Sequence, residues 1–85
     1  LINNRRSEID ILADILELAK NGTQKTKILC RVNLNYTQLK TYLSFLVERK
    51  LLDERKDGAR SRIYRTTDRG LQLLDSIKQV KSFLD

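Results

Sequence analysis

Residues 23–50, TQKTKILCRVNLNYTQLKTYLSFLVERK, decide how this chain folds. They read as a short helix, a tight turn and a longer helix. The turn is Asn33-Leu34-Asn35-Tyr36. Asn35 is placed to cap the longer helix by accepting a bond from an orphan N–H, and Gln38, three residues on, completes a capping box. Leu34, just before the cap, can clasp Leu39 as a hydrophobic staple, which sets the angle at which the helix leaves the turn. A start specified this closely suits a helix whose first turn must be placed accurately.

Within this stretch the shorter helix takes Thr23 as its cap and runs to about Val32, burying Ile28, Leu29 and Val32. Cys30, at its centre, reads as a small core residue. The longer helix runs from Tyr36 to Arg49 with an inward stripe of Tyr36, Leu39, Leu43, Leu46 and Val47. Projection at ~100° per residue puts Thr37, Lys40, Thr41, Ser44 and Glu48 on the opposite side. Upstream, residues 7–21 form a first helix that opens at Ser7 with Asp10 at its third position. Its apolar residues make two stripes: Ile9, Leu12, Ala13, Leu16 and Ala19, then Ile11, Ile15 and Leu18. A helix this apolar must be covered on more than one side. Arg5 and Arg6 precede it as either a short arm or a pair of solvated charges.

Downstream, residues 51–66 read as two short strands around Asp57-Gly58-Ala59-Arg60, where Gly58 supplies the positive φ of a hairpin turn. Residues 67–85 form a last helix capped by Thr67. In it Leu73, Ile77, Val80 and Leu84 repeat at spacings of four, three and four, the rhythm of a coiled-coil seam. That seam either folds back onto the first helix or meets a second copy of the chain. Its persistence to the penultimate residue favours the second copy, and so does the extra apolar face of the first helix. The dimer surface expected on this reading is Ile11, Ile15, Leu18, Leu73, Ile77, Val80 and Leu84.

Eighty-five residues suffice for one domain, 1–85, with a single small core. The formal charge is +6, unevenly spread: residues 23–50 carry +5 and residues 51–66 carry +2, so the centre holds +7 against −1 in the flanks. Such a distribution is the footprint of a polyanion site more than of a uniformly solubilised surface. A lone Cys30 forms no intrachain disulfide and points to a cytoplasmic chain. No apolar run approaches membrane-spanning length, and no signal peptide is visible. The chain begins with Leu1 instead of Met, as a fragment or a trimmed chain does.

The order helix, helix, turn, helix, hairpin, helix is mainly α with a small β-hairpin: a winged helix-turn-helix whose C-terminal helix is a dimerisation element. The chain also resembles a known family. The blocks RRSEIDILADILELAKNGTQKTKILCRVNLNYTQLKTYLSFLVERKLL and YRTTDRGLQLL are similar to those of small archaeal winged-helix DNA-binding proteins, over nearly the whole chain. Its most telling parts are residues 25–29, 33–36 and 67–70. The resemblance implies double-stranded DNA as the partner, a role in chromatin or transcription, a nucleoid-associated location and a homodimer paired through an antiparallel C-terminal coiled coil. The wing, DERKDGARSR, looks longer and more basic than in the shortest members, and the final helix looks shorter than a long dimerisation rod.

On this reading the third helix enters the major groove and presents Thr37, Gln38, Lys40, Thr41 and Ser44. Gln38 either pairs with adenine or is occupied by capping; Lys40 reaches guanine, a phosphate or only solvent. Asn35 and Tyr36 lie beside them, Tyr36 with its ring in the core and its hydroxyl on a phosphate. Thr23, Lys25, Thr26 and Lys27 open the second helix, where N–H groups favour a phosphate. Arg55, Lys56, Arg60 and Arg62 place the wing on the backbone or in the minor groove. Catalysis is disfavoured: there is no His, no Gly-rich phosphate loop and no metal-ligand set. The acidic residues Asp10, Asp14 and Glu17 read as a solvated face. No cofactor or small-molecule effector is indicated. The rivals are a winged helix that binds only protein and a non-specific chromatin protein.

Overall fold

The computed structural model describes residues 7–84. In chain order these form α1 (Glu8–Leu18), β1 (Thr23–Gln24), α2 (Lys25–Val32), α3 (Tyr36–Glu48), β2 (Leu52–Asp57), β3 (Ser61–Thr66) and α4 (Asp68–Leu84). Arg5 and Arg6 lie outside the described residues. The result is four helices and a small antiparallel sheet of order β1-β3-β2.

Local chemistry sets most of the boundaries. The expected capping box forms at α3 with Asn35 and Gln38, and the expected Ser7 cap also closes into a box: its hydroxyl accepts from Asp10 N while the Asp10 side chain accepts from Ser7 N. The α3 pair is close to ideal, with Gln38 N donating to Asn35 Oδ1 at 2.8 Å and Asn35 N to Gln38 Oε1 at 3.2 Å. At the other end of α3, Lys50 takes a left-handed φ of 62°. There its N–H bonds the Val47 carbonyl and Leu51 N–H bonds the Leu46 carbonyl, a Schellman motif whose Leu46 and Leu51 are both buried. The hairpin pairs Leu52 with Thr66 through Asp57 with Ser61, and Gly58 at φ 84° turns it.

The core collects Leu16 from α1 and Ala19 from its C-cap, Ile28 and Val32 from α2, Leu39, Leu43 and Leu46 from α3, and Leu74 from α4. Tyr64 closes it from the sheet. Two linkages tie the root of the wing to the helices. Thr66 N–H bonds the Ala19 carbonyl at 2.9 Å, and the buried Thr66 hydroxyl donates to the Leu16 carbonyl at 2.6 Å. The Thr67 hydroxyl donates to the Lys50 carbonyl at 2.7 Å and accepts from Gly70 N at 3.0 Å, so one side chain caps α4 and docks it on the end of α3. α4 then packs along α1, where Lys78 pairs with Glu17 at 2.8 Å and Lys81 pairs with Asp10.

Four expectations are corrected. Thr23 is not the cap of α2: it is buried in β1, paired with Tyr64, and Gln24 occupies the cap position without a side-chain bond. Burying its methyl beside the sheet outweighs an exposed capping role. Tyr36 leaves the core stripe and is 57% exposed, because at the first position of α3 its ring projects past the end of the apolar layer. Cys30 is likewise exposed, on the outer side of a helix only two turns long. Ile15, assigned to the dimer surface, is fully buried in the chain's own core, and Ile77 is 6% exposed; α4 covers the α1 face that had seemed to need another copy.

Candidate nucleic-acid interface

One surface gathers the third helix, the start of the second and the wing. Lys40, Ser44 and Glu48 from α3 and Lys25 from α2 face Glu54, Arg62 and Tyr64 of the wing across a recess of about 470 Å3. A second recess continues from it, lined by Lys25, Thr26, Tyr36, Arg60 and Arg62. Four of the expected cations, Lys25, Lys40, Arg60 and Arg62, therefore lie along one continuous face. Lys56 joins them, because it pairs directly with Arg62 and side chains opposite each other in a ladder share a face.

The same register separates two others. Arg55 pairs with Ile63, one residue out of phase, and so lies on the other face of the hairpin. Lys27 lines a recess with Ile63 and Cys30 on that reverse side. Thr23 is mostly buried, and what remains of it opens on the same reverse-side recess. Strand alternation could have separated Arg55 from Arg62 in the sequence, but not without knowing which residues lay opposite.

On α3 the predicted polar face, Thr37, Gln38, Lys40, Thr41 and Ser44, is exposed. Its hydrogen-bonding capacity is partly spent within the chain. Gln38 Oε1 and Asn35 Oδ1 serve the capping box, so a bidentate adenine contact by Gln38 has to share Oε1 with that bond. Thr41 donates to the Thr37 carbonyl at 3.1 Å. Lys40 and Ser44, which line the recess, are the better-placed groups.

Two local pairs tune the site. Lys25 Nζ donates to the Tyr36 hydroxyl at 2.8 Å and stands 4.2 Å from the ring centroid. That ammonium lowers the phenol's pKa below its ordinary value. Across the recess Tyr64 donates to Glu54 Oε2 at 2.5 Å, and Arg62 pairs with Glu54 Oε1 at 2.9 Å. Burial, with the Glu54 bond second, pushes the Tyr64 phenol upward, so it remains a donor. Among the described residues no cluster of His, Cys, Asp or Glu could hold a metal ion, and no helix is long and apolar enough to cross a membrane.

A helix-turn-helix followed by a hairpin wing is what the winged helix-turn-helix family model describes, and that model matches residues 5–85. The chain belongs to that family. The winged helix here is similar to the crystal structure of Sso10a-2, a DNA-binding protein from Sulfolobus solfataricus: TM-score 0.84, 24% identity, 92% of this chain and 81% of that one. AF1382 from Archaeoglobus fulgidus matches at TM-score 0.76 and 24% identity over 91% of this chain and 86% of that one. The PcaV transcriptional regulator of Streptomyces coelicolor, in complex with its natural ligand, matches at TM-score 0.68 and 23% identity over 92% and 62%. The resemblance to small archaeal winged-helix proteins is thus borne out. In sequence, MJ0290 from Methanocaldococcus jannaschii is 31% identical over 89% of this chain, which spans only 34% of that protein's length.

The apolar stripe of α4 is divided by its packing on α1. Leu74 and Ile77 are covered, while Val80 and Leu84 are 57% and 59% exposed. Ile9 and Phe83, neither of them on the expected dimer surface, extend the uncovered strip, Phe83 at 88% exposure. Ile9, Leu73, Ile77 and Val80 line a recess with no polar surface of its own apart from its rim. Ile11 and Leu18 are half-buried against the core.

Proposed function

We propose that this winged helix binds double-stranded DNA as a homodimer and acts in transcription regulation in the cytoplasm, associated with the nucleoid. Helix α3 lies in the major groove with Lys40 and Ser44 toward the bases, and the hairpin lies along the backbone or minor groove. The observation that carries the reading is the shared face of Lys25, Lys40, Lys56 and Arg60, drawn from two helices and the wing. Preference among sequences is modest on this reading, because Gln38 and Thr41 are tied to their own helix. A second copy covers Ile9, Val80, Phe83 and Leu84, since a contiguous apolar strip this exposed favours burial.

A mobility-shift titration against random-sequence duplex tests the reading. If those four cations each neutralise one phosphate, log K against log[salt] has a slope of about −3.6 per subunit, or a loss of roughly 100-fold between 50 and 200 mM salt. A flat plot, or no binding at low salt, refutes it and favours a protein-binding winged helix. Sedimentation of Val80→Lys tests the dimer; a mass equal to that of the unaltered chain moves the interface elsewhere.

A further inference from the structure

The cationic face contains a carboxylate that the DNA-binding reading does not use. Glu54 lies inside the recess between α3 and the wing, with Lys25 and Lys40 on the same walls. Both of its oxygens are held: Oε2 by the Tyr64 hydroxyl at 2.5 Å and Oε1 by the Arg62 guanidinium at 2.9 Å. Tyr64 is itself buried, so it anchors the carboxylate from the floor of the recess while Arg62, 53% exposed in its side chain, closes it from the rim. A carboxylate held this way offers a guanidinium what a phosphate offers: one negative charge and acceptor oxygens in a plane.

We propose that Glu54 is an internal substitute for a DNA phosphate, occupying Arg62 in the free protein and setting a threshold that a duplex must overcome. This rests on the DNA-binding reading and names the residue that limits it. A polyanion that only brushes the wing does not displace a carboxylate anchored on Tyr64. A duplex seated on α3 brings its backbone alongside Arg62 and competes for the guanidinium. Arg62 thereby contributes little to loose encounters, and Glu54 acts as a determinant of selectivity. Its neighbour Asp53 pairs with Arg65, one residue out of phase on the other face of the hairpin, and serves as the matched control.

The test is the same salt titration on Glu54→Gln, which keeps an acceptor for Tyr64 but removes the charge. Freed Arg62 adds one phosphate contact, so the slope steepens by about 0.9 per subunit and low-salt affinity for random duplex rises roughly three- to tenfold. Asp53→Asn, with the same change in net charge, leaves slope and affinity within about twofold of the unaltered chain. Arg62→Ala in the Glu54→Gln background abolishes the gain, whereas Arg62→Ala alone leaves Glu54 unpaired on the cationic face and weakens binding. Wild-type binding combined with an unchanged or weaker Glu54→Gln variant overturns the role of Glu54 and leaves the DNA-binding reading standing. So does an equal gain from Asp53→Asn. Absence of wild-type binding overturns the DNA-binding reading itself.

Discussion

Replacing Gly70 with alanine should cost far more than its position in a helix suggests. A Cβ at Gly70 would stand 2.2 Å from the Leu51 carbonyl oxygen and 2.7 Å from Thr66 Cγ2. Neither neighbour can yield easily. The Leu51 carbonyl accepts from Thr67 N–H at 3.1 Å, and Leu51 N–H belongs to the turn that ends α3. To reach an ordinary contact the start of α4 must withdraw by more than about 1 Å, since Cβ contacts below ~3.4 Å are rare in a close-packed interior. That withdrawal pulls on the Thr67 bonds to Lys50 and Gly70. Overpacking costs about 1–3 kcal/mol and each strained hydrogen bond about 1 kcal/mol, while alanine returns up to about 1 kcal/mol of helix propensity. The expected net loss is about 2–4 kcal/mol, which for a domain of this size lowers Tm by roughly 10–25 °C. Thermal and urea unfolding followed by circular dichroism measure it. Gly58→Ala is the control: nothing lies within 4 Å of its Cβ, and only the φ of 84° is strained, for a loss of about 1 kcal/mol. A Gly70→Ala protein within 3 °C of the unaltered chain, or no less stable than Gly58→Ala, refutes the steric argument.

Other outcomes follow from the helix ends. Lys50→Gly relieves the left-handed residue at the end of α3 and should stabilise by up to about 1 kcal/mol; a lower Tm in a thermal melt contradicts the Schellman assignment. Asn35→Ala removes the cap of α3 and should cost about 1 kcal/mol in urea unfolding, and a neutral result means the box contributes nothing. Asp10 is lowered from its ordinary 3.8 to about 2, first by the Lys81 ammonium and then by the Ser7 N–H and hydroxyl. A depressed folded value means that its contribution is complete above about pH 4 and disappears as the pH falls toward 2. Asp10→Asn should therefore be less stable at neutral pH and show a shallower acid-unfolding curve in that window; parallel curves would rule the linkage out.

What the sequence disclosed was mostly local. The Asn35–Gln38 box, the Ser7 cap, the Gly58 turn and the Thr67 cap each depend on residues within four positions of the groups they serve, and each was readable from spacing. Thr23 shows the limit. A threonine before a helix looks like a cap, and only its pairing with Tyr64, forty-one positions away, makes it a strand residue. The α1 stripes were ambiguous for the same reason, since whether Ile15 meets this chain or another depends on where α4 docks. At the candidate site, charge density anticipated that cations of α2, α3 and the wing share a face, because they crowd one region of sequence. It could not divide them between the two faces of a hairpin, which depends on register. The Glu54–Arg62–Tyr64 cluster was invisible for that reason too.

On the DNA-binding reading proposed above, the two-residue β1 has an outsized effect on how the cationic face meets a duplex. By pairing Thr23 and Gln24 with Tyr64 and Ile63, it joins the start of α2 to the wing as one plate. Lys25 and Arg60 then behave like the jaws of a caliper locked at one opening, instead of two hooks on separate strings. Under that proposal, a duplex whose phosphates do not span that opening must itself be compressed or widened, so stiff and pliable sequences pay different elastic costs. Choice among sites can thus arise from the mechanics of the double helix, even where few bases are touched.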